Sequence, residues 1–149
     1  MSTEESKTKN TGEAALQKYR KGMKALGRSL ILLAILQLVI GAAVLAISRG
    51  ELIVVIVAIA AVLGFMGAVH LTLGILLRRN YYWANYLVAA WGCLLMAGMF
   101  LQIGMQAGQG DSKANPGSCL GLLIAGAMLH YSFGNLSARR QARAAGLEP

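Results

Sequence analysis

Four long runs of uncharged, mostly apolar residues constrain the fold of this chain more than any other feature. A helix needs about 20 apolar residues to cross the hydrocarbon core of a bilayer, and a charged residue at its centre would cost about 2.5–3.5 kcal/mol. No Asp, Glu, Lys or Arg interrupts the four runs, so we predict four transmembrane helices. The runs cover residues of about 29–48, 52–77, 81–106 and 117–136.

The composition excludes the other classes of fold. The chain of 149 residues is 56% hydrophobic and 13% charged, with a mean hydropathy of +0.57, whereas soluble domains carry about 25% charged residues. A small soluble domain leaves much of its surface in water and cannot cover this much apolar surface. The low charge also excludes a disordered chain. The composition therefore indicates an integral membrane protein.

The connections between the runs and the positions of the charges predict the topology. The connections are short, so neighbouring helices are expected to be antiparallel, which predicts an all-α, up-down bundle of four transmembrane helices. Of the 14 Lys and Arg residues, only Arg49 and Lys113 lie on one side of this bundle. Because cytoplasmic segments carry the excess of Lys and Arg, both termini are predicted to be cytoplasmic. We expect the membrane to be a bacterial inner membrane.

We interpret the basic residues as topology signals and as contacts with anionic lipid headgroups, and not as a nucleic-acid site. A cluster of aromatic residues opens the third run, directly after an arginine pair, where rings favour the headgroup level. The aromatic residues are Tyr81, Tyr82, Trp83 and Tyr86. The basic residues expected at the headgroups are Lys18, Arg20, Lys21, Lys24, Arg28, Arg78, Arg79, Arg139 and Arg140.

The segment before the first run has two parts. Residues 1–12 are polar, and we expect them to form a disordered tail. Residues 13–28 carry apolar side chains at helical spacing among lysines and arginines, which predicts a basic amphipathic helix lying along the inner leaflet. A helix that binds a protein partner is the alternative. The apolar positions are Leu16, Tyr19, Met23 and Leu26.

The rest of the chain divides at the end of the fourth run. Residues 29–137 form the predicted transmembrane domain, and residues 138–149 form a basic cytoplasmic tail. Its first part is expected to continue the fourth helix and to end near Gly146, because glycine commonly terminates helices. No proline or carboxylate interrupts the runs, which disfavours transporters that use broken helices or buried acids.

Small residues recur within three of the runs. Helices in lipid approach each other closely where their side chains are small, so these rows predict helix contacts. The row on the fourth run suits contact either within the bundle or with a second copy of the chain. The rows are Ala60, Gly67 and Gly74 on the second run, Ala90, Ala97 and Gly104 on the third, and Gly117, Gly121 and Ala125 on the fourth.

Four polar side chains, Gln37, His70, Asn85 and His130, form a predicted polar layer inside the membrane. A rise of about 1.5 Å per residue places Gln37 and the two histidines about 12–14 Å from the cytoplasmic charges. Both histidines share a helix face with small residues, so we expect them to point into the bundle.

Three interpretations of this layer remain open. The first is a hydrogen-bonded layer that sets the register of the helices. The second is cofactor binding, in which His70 and His130 are axial ligands of haem b or ligate a metal ion. The third is a pH-sensitive or substrate-binding pocket. Cys93 and Cys119 differ in depth by about 15 Å and are expected to be packing residues and not a disulfide.

The sequence contains no recognised catalytic motif, so an enzyme is not expected. It favours a small tetraspan membrane protein that acts through helix contacts as a non-enzymatic accessory, assembly or structural subunit. Such a protein would be a homo-oligomer or part of a membrane complex. One alternative is an electron-transfer protein that binds haem b or a metal through His70 and His130. The other is a channel or carrier for a small solute.

Overall fold

In a computed structural model of the protein, the described residues form four α-helices. The structure describes residues 3–47, 53–108 and 116–147, with side chains for 9–46, 53–106 and 118–147. All four helices are long and apolar enough to cross a membrane, as predicted. The helices are α1 (Thr3–Ile47), α2 (Ile53–Arg78), α3 (Tyr82–Gly108) and α4 (Pro116–Ala144). Arg49, Lys113 and most of the two connections they occupy lie outside the described residues.

The course of α1 differs from the sequence-based prediction. Residues 3–12, expected to be disordered, are helical, and residues 13–28 are the middle of one unbroken helix and not a separate one. Gly12 lies against Ala145 and Leu147, beyond the end of α4, which gives the start of α1 a partner to pack on. The predicted apolar stripe exists, but Tyr19, Met23 and Leu26 are buried by protein, and Leu16 is half-buried.

The chain divides into two compact units. The first unit consists of Met1–Gly22 and Tyr82–Pro149, and the second consists of Met23–Tyr81. The first unit therefore contains the start of α1 together with α3 and α4. The second unit contains the rest of α1 together with α2.

In the second unit, the backbones of α1 and α2 are in close contact at a pair of glycines. A Cβ atom added at Gly74 would lie 2.8 Å from the carbonyl oxygen of Gly27, and one added at Gly27 would lie 2.8 Å from that of Gly74. Further along, Gly67 lies against Leu38, so the contacts run in opposite chain directions. The predicted packing role of the α2 row is confirmed, since Ala60, Gly67 and Gly74 are all buried.

In the first unit, α3 packs along α4, also in opposite chain directions. Gly92 lies against Leu129, and Met99 lies against Gly121. Gly121 and Ala125 therefore contribute to a contact within the chain, which is one of the two predicted uses of the row on the fourth run.

The small-residue row of α3 does not form the contact between α3 and α4. Ala90, Ala97 and Gly104 are all exposed, because α3 uses another face that includes Asn85, Val88 and Gly92. Residues 90 and 88 are two positions apart, which corresponds to about 200° around a helix. The small side chains of α3 occur on both faces, so their seven-residue spacing did not identify the buried one.

Two helices end in the same way. Asn80 after α2 has a φ of 60°, and the N–H of Tyr81 donates to the carbonyl of Leu76 at 3.2 Å. Gly146 after α4 has a φ of 75°, and the N–H of Leu147 donates to the carbonyl of Ala142 at 3.0 Å. A left-handed residue with this bond is the usual Schellman termination. The predicted end of the fourth helix near Gly146 is confirmed.

We expect Gly74→Ala to destabilise the protein, because the new methyl group would meet the backbone of Gly27 and the helices would have to separate. A loss of about 1–3 kcal/mol is typical of overpacking. Gly64→Ala is the matched control on α2, since nothing lies within 4 Å of its added Cβ. Circular dichroism in detergent gives both melting temperatures. Equal stability of the two variants would contradict the close glycine contact.

Candidate functional site

The second unit contains a buried pair of polar side chains. His70 on α2 is 1% exposed, and its Nδ1–H donates to Oε1 of Gln37 on α1 at 2.9 Å. The backbone of Met66, one helical turn before His70, is another hydrogen-bond partner of the imidazole. The Gly67–Leu38 contact brings the two helices together at this level. Two members of the predicted polar layer are therefore directly bonded.

The first unit buries a different polar pair. Asn85 on α3 is 0% exposed, and its Nδ2 donates to the backbone carbonyl of Ser132 on α4 at 2.9 Å. The Ser132 side chain is also fully buried. The sequence analysis selected Asn85 but not Ser132.

His130 does not share this environment. It is exposed, and its ring meets the neighbouring Tyr131 edge-on at a centroid distance of 5.7 Å. This differs from the expectation that both histidines face the interior. The buried face of α4 includes Met128 and Ser132, and His130 lies between them on the opposite side of the helix, two positions from each.

The arrangement of the histidines bears on cofactor binding. His70 belongs to the second unit and His130 to the first, so neither unit by itself supplies two axial ligands. Among the described residues, no group of three or more His, Cys, Asp or Glu residues is arranged to hold a metal ion. Cys93 and Cys119 are free and exposed. The chemistry that the second unit offers at His70 is hydrogen bonding.

In the first unit, several buried polar atoms without hydrogen-bond partners lie near Arg139. Buried polar groups in native proteins are nearly always hydrogen-bonded, so several unpaired ones in one place need a physical reason. We call these five residues the polar cluster. The unpaired atoms are the Tyr19 hydroxyl oxygen, Asn85 Oδ1, Ser132 Oγ, Asn135 Nδ2 and Arg139 Nε.

Three helices bring the polar cluster together. The guanidinium of Arg139 on α4 lies over the ring of Tyr82 on α3, 4.3 Å from its centroid, a favourable cation–π geometry. Arg139 also lies close enough to Tyr19 on α1 to interact with it electrostatically. Gly22 on α1 leaves room for Asn135, because a Cβ atom at this position would overlap the amide oxygen of Asn135.

The polar cluster is cationic and has no described carboxylate nearby. Glu13 is the one acidic residue whose side chain the structure describes, and it is exposed. Sequence reasoning selected Asn85 and Arg139 but treated Tyr19 as part of an apolar stripe. The spacing of Ser132, Asn135 and Arg139, at three and four residues, is the signal that places them on one helix face.

Comparison of the chain with protein-family models, with curated proteins and with solved structures finds no match. The function therefore has to be inferred from the geometry of the two units. Three structural features bear on the function: the exposed His130, the buried Gln37–His70 pair and the polar cluster.

We expect the Gln37–His70 bond to stabilise the second unit. Gln37→Leu should lower the free energy of unfolding by about 1–2 kcal/mol, because it leaves a buried imidazole N–H without its acceptor. Gln102→Leu makes the same change at an exposed glutamine of α3 and should have little effect. A double-mutant cycle with His70→Leu, followed by thermal unfolding in detergent, measures the coupling. Additive effects of the two substitutions would refute the bond.

Proposed function

We propose that this protein is a membrane subunit that acts through contacts between transmembrane helices, as a non-enzymatic accessory, assembly or structural component. The partner we expect first is a second copy of the chain, which makes the protein a homo-oligomer. The observation that carries the proposal is the exposure of His130 on α4. His130 lies nine residues before Arg139, which corresponds to a depth of about 13 Å.

An exposed imidazole at this depth favours a partner from another helix. A polar group in hydrocarbon loses its hydrogen bonds to water, and intramembrane polar side chains usually pair with one another. Within the described part of the chain, His130 contacts the Tyr131 ring, and a ring edge does not replace a hydrogen bond. In a symmetric dimer, His130 of one copy can lie opposite His130 of the second copy. One imidazole then donates a hydrogen bond and the other accepts it.

The uncovered face of α3 also supports helix association. Ala90, Ala97 and Gly104 are exposed, and no atom lies within 4 Å of a Cβ added at Gly98 or Gly104. Small side chains permit a second helix to approach closely and gain van der Waals contact. The buried row of α2 has the same seven-residue spacing and packs against α1. The α3 row has the same small side chains at the same spacing but is exposed in the described part of the chain.

We further propose that the four helices alternate in direction across an inner membrane, with both termini in the cytoplasm and with cations at anionic headgroups. Arg78 and Arg79 are exposed at the end of α2, and Arg140 is exposed near the end of α4. The 45 residues of α1 correspond to a helix of about 67 Å, while the hydrocarbon core is about 30 Å thick. The basic first half of α1 therefore extends beyond the hydrocarbon and through the headgroup level on that side.

The oligomeric state tests the role of His130. We expect native mass spectrometry in mild detergent to show a dimer or larger oligomer for the unmodified protein and dissociation at about tenfold higher concentration for His130→Leu. His130→Gln keeps a hydrogen-bonding side chain and should retain the oligomer. Phe133→Leu is the control at an exposed position of the same helix. A monomeric unmodified protein would contradict the proposal.

Absorption spectroscopy separates this role from electron transfer. We expect the oxidised and the dithionite-reduced protein to have no Soret band, because His70 is already hydrogen-bonded to Gln37 and His130 is exposed. Metal analysis on the same sample covers copper and zinc. A Soret band that shifts on reduction and disappears in His70→Ala or His130→Ala would instead identify a haem b protein.

A further inference from the structure

We propose that the polar cluster binds the phosphate group of an acidic phospholipid from the cytoplasmic leaflet. The proposal deepens the lipid contact described above and rests on the orientation proposed there. The residues of the site are Tyr19, Asn85, Ser132, Asn135 and Arg139.

The hydrogen-bonding capacity of the cluster is the first argument. Four of the unpaired groups are donors: two hydroxyls, an amide NH₂ and a guanidinium N–H. The one unpaired group that can only accept is Oδ1 of Asn85. A buried polar group that is left unsatisfied destabilises the protein. A phosphate diester offers several acceptor oxygens to these donors.

The charge of the cluster is the second argument. Arg139 carries a positive charge next to Tyr19, and the exposed cations Lys18 and Arg140 directly adjoin these two residues in sequence. Glu13, the described carboxylate on α1, is exposed and two helical turns away from Tyr19 in sequence. The site therefore favours an anion. A guanidinium binds phosphate oxygens through a planar fork of N–H groups.

The position of the cluster points to a lipid as the source of the phosphate. Tyr82, whose ring covers the Arg139 guanidinium, is exposed, so this pair forms the surface side of the cluster. Trp83 and Tyr86, near the start of the same helix as Tyr82, are also exposed. Aromatic side chains concentrate at the headgroup level of a membrane, where phospholipid phosphates are the abundant anions.

The motion needed for binding is small. The unpaired atoms are enclosed by protein, so the phosphate reaches them when Arg139 swings away from the Tyr82 ring. Hydrogen bonds between charged groups are stronger than an exposed cation–π contact. Exchange of the ring contact for phosphate bonds is therefore favourable.

The test uses the full-length protein in mixed micelles of dodecyl maltoside. One series contains phosphatidylglycerol, a second contains phosphatidylcholine, and a third contains inorganic phosphate without added lipid. Bound lipid is counted by native mass spectrometry, and the melting temperature is recorded on the same samples. We expect phosphatidylglycerol to bind about tenfold more tightly than phosphatidylcholine and to raise the melting temperature. Inorganic phosphate at high concentration should compete with it.

Matched variants assign this preference to the cluster. Arg139→Gln should remove the preference for phosphatidylglycerol, and Arg140→Gln, the same change at an exposed neighbour, should retain it. Tyr19→Phe removes one hydroxyl and should weaken binding several-fold, while Tyr131→Phe changes an exposed tyrosine and should have no effect. If Arg139→Gln does not fold, the Tyr19→Phe comparison decides the question.

Three results would overturn the proposal. Equal binding of the two lipids would show that the cluster does not select the acidic lipid. Ordered water would then be the better explanation of the unpaired atoms. Equal losses in Arg139→Gln and Arg140→Gln would indicate diffuse attraction. A response to inorganic phosphate without one to phosphatidylglycerol would assign the site to a soluble ligand. Lipid binding in micelles does not depend on the orientation of the protein in a membrane, and native mass spectrometry reports the oligomeric state separately. Failure of lipid binding is therefore distinguishable from failure of the proposed function.

Discussion

Close backbone contact between helices is the constraint on which the rest of the second unit depends. Apolar side chains gain nothing by leaving lipid for other apolar side chains, so helices in a membrane associate through tight packing and hydrogen bonds. The crossing at Gly27 and Gly74 brings two backbones together and sets the register of α1 against α2. At that register Gln37 reaches His70. The hydrogen bond in turn satisfies an imidazole that would otherwise oppose the packing.

The strongest physical signals in the sequence predicted the helices well. Uncharged runs identify membrane spans because one charge at the centre of a helix is so costly. The unbroken course of α1 could not be predicted, because an amphipathic stripe looks the same whether lipid or protein covers it. The facing of His130 was wrong for a related reason: Gly126, Ala127 and Gly134 surround it on several sides of α4, so small neighbours did not define one face.

The candidate sites were predictable only within single helices. Spacing along α4 shows that Ser132, Asn135 and Arg139 share a face, but no local pattern connects them to Tyr19, more than a hundred residues earlier. The same limit applied to Gln37 and His70, which were placed at one depth by counting residues from the charges. Depth is a property of one helix, whereas the partner across an interface depends on the rotation of both helices.

The order of the chain within the two units has a consequence for biosynthesis. The second unit, Met23–Tyr81, is continuous, so its two helices can pair as soon as the ribosome has released them into the membrane. The first unit joins the start of α1 to α3 and α4. The space beside Gly22 is filled by Asn135 only after α4 has entered the membrane. The start of α1 therefore lacks these contacts until α4 has been synthesised, and a chain truncated before α4 would leave this part of α1 without them.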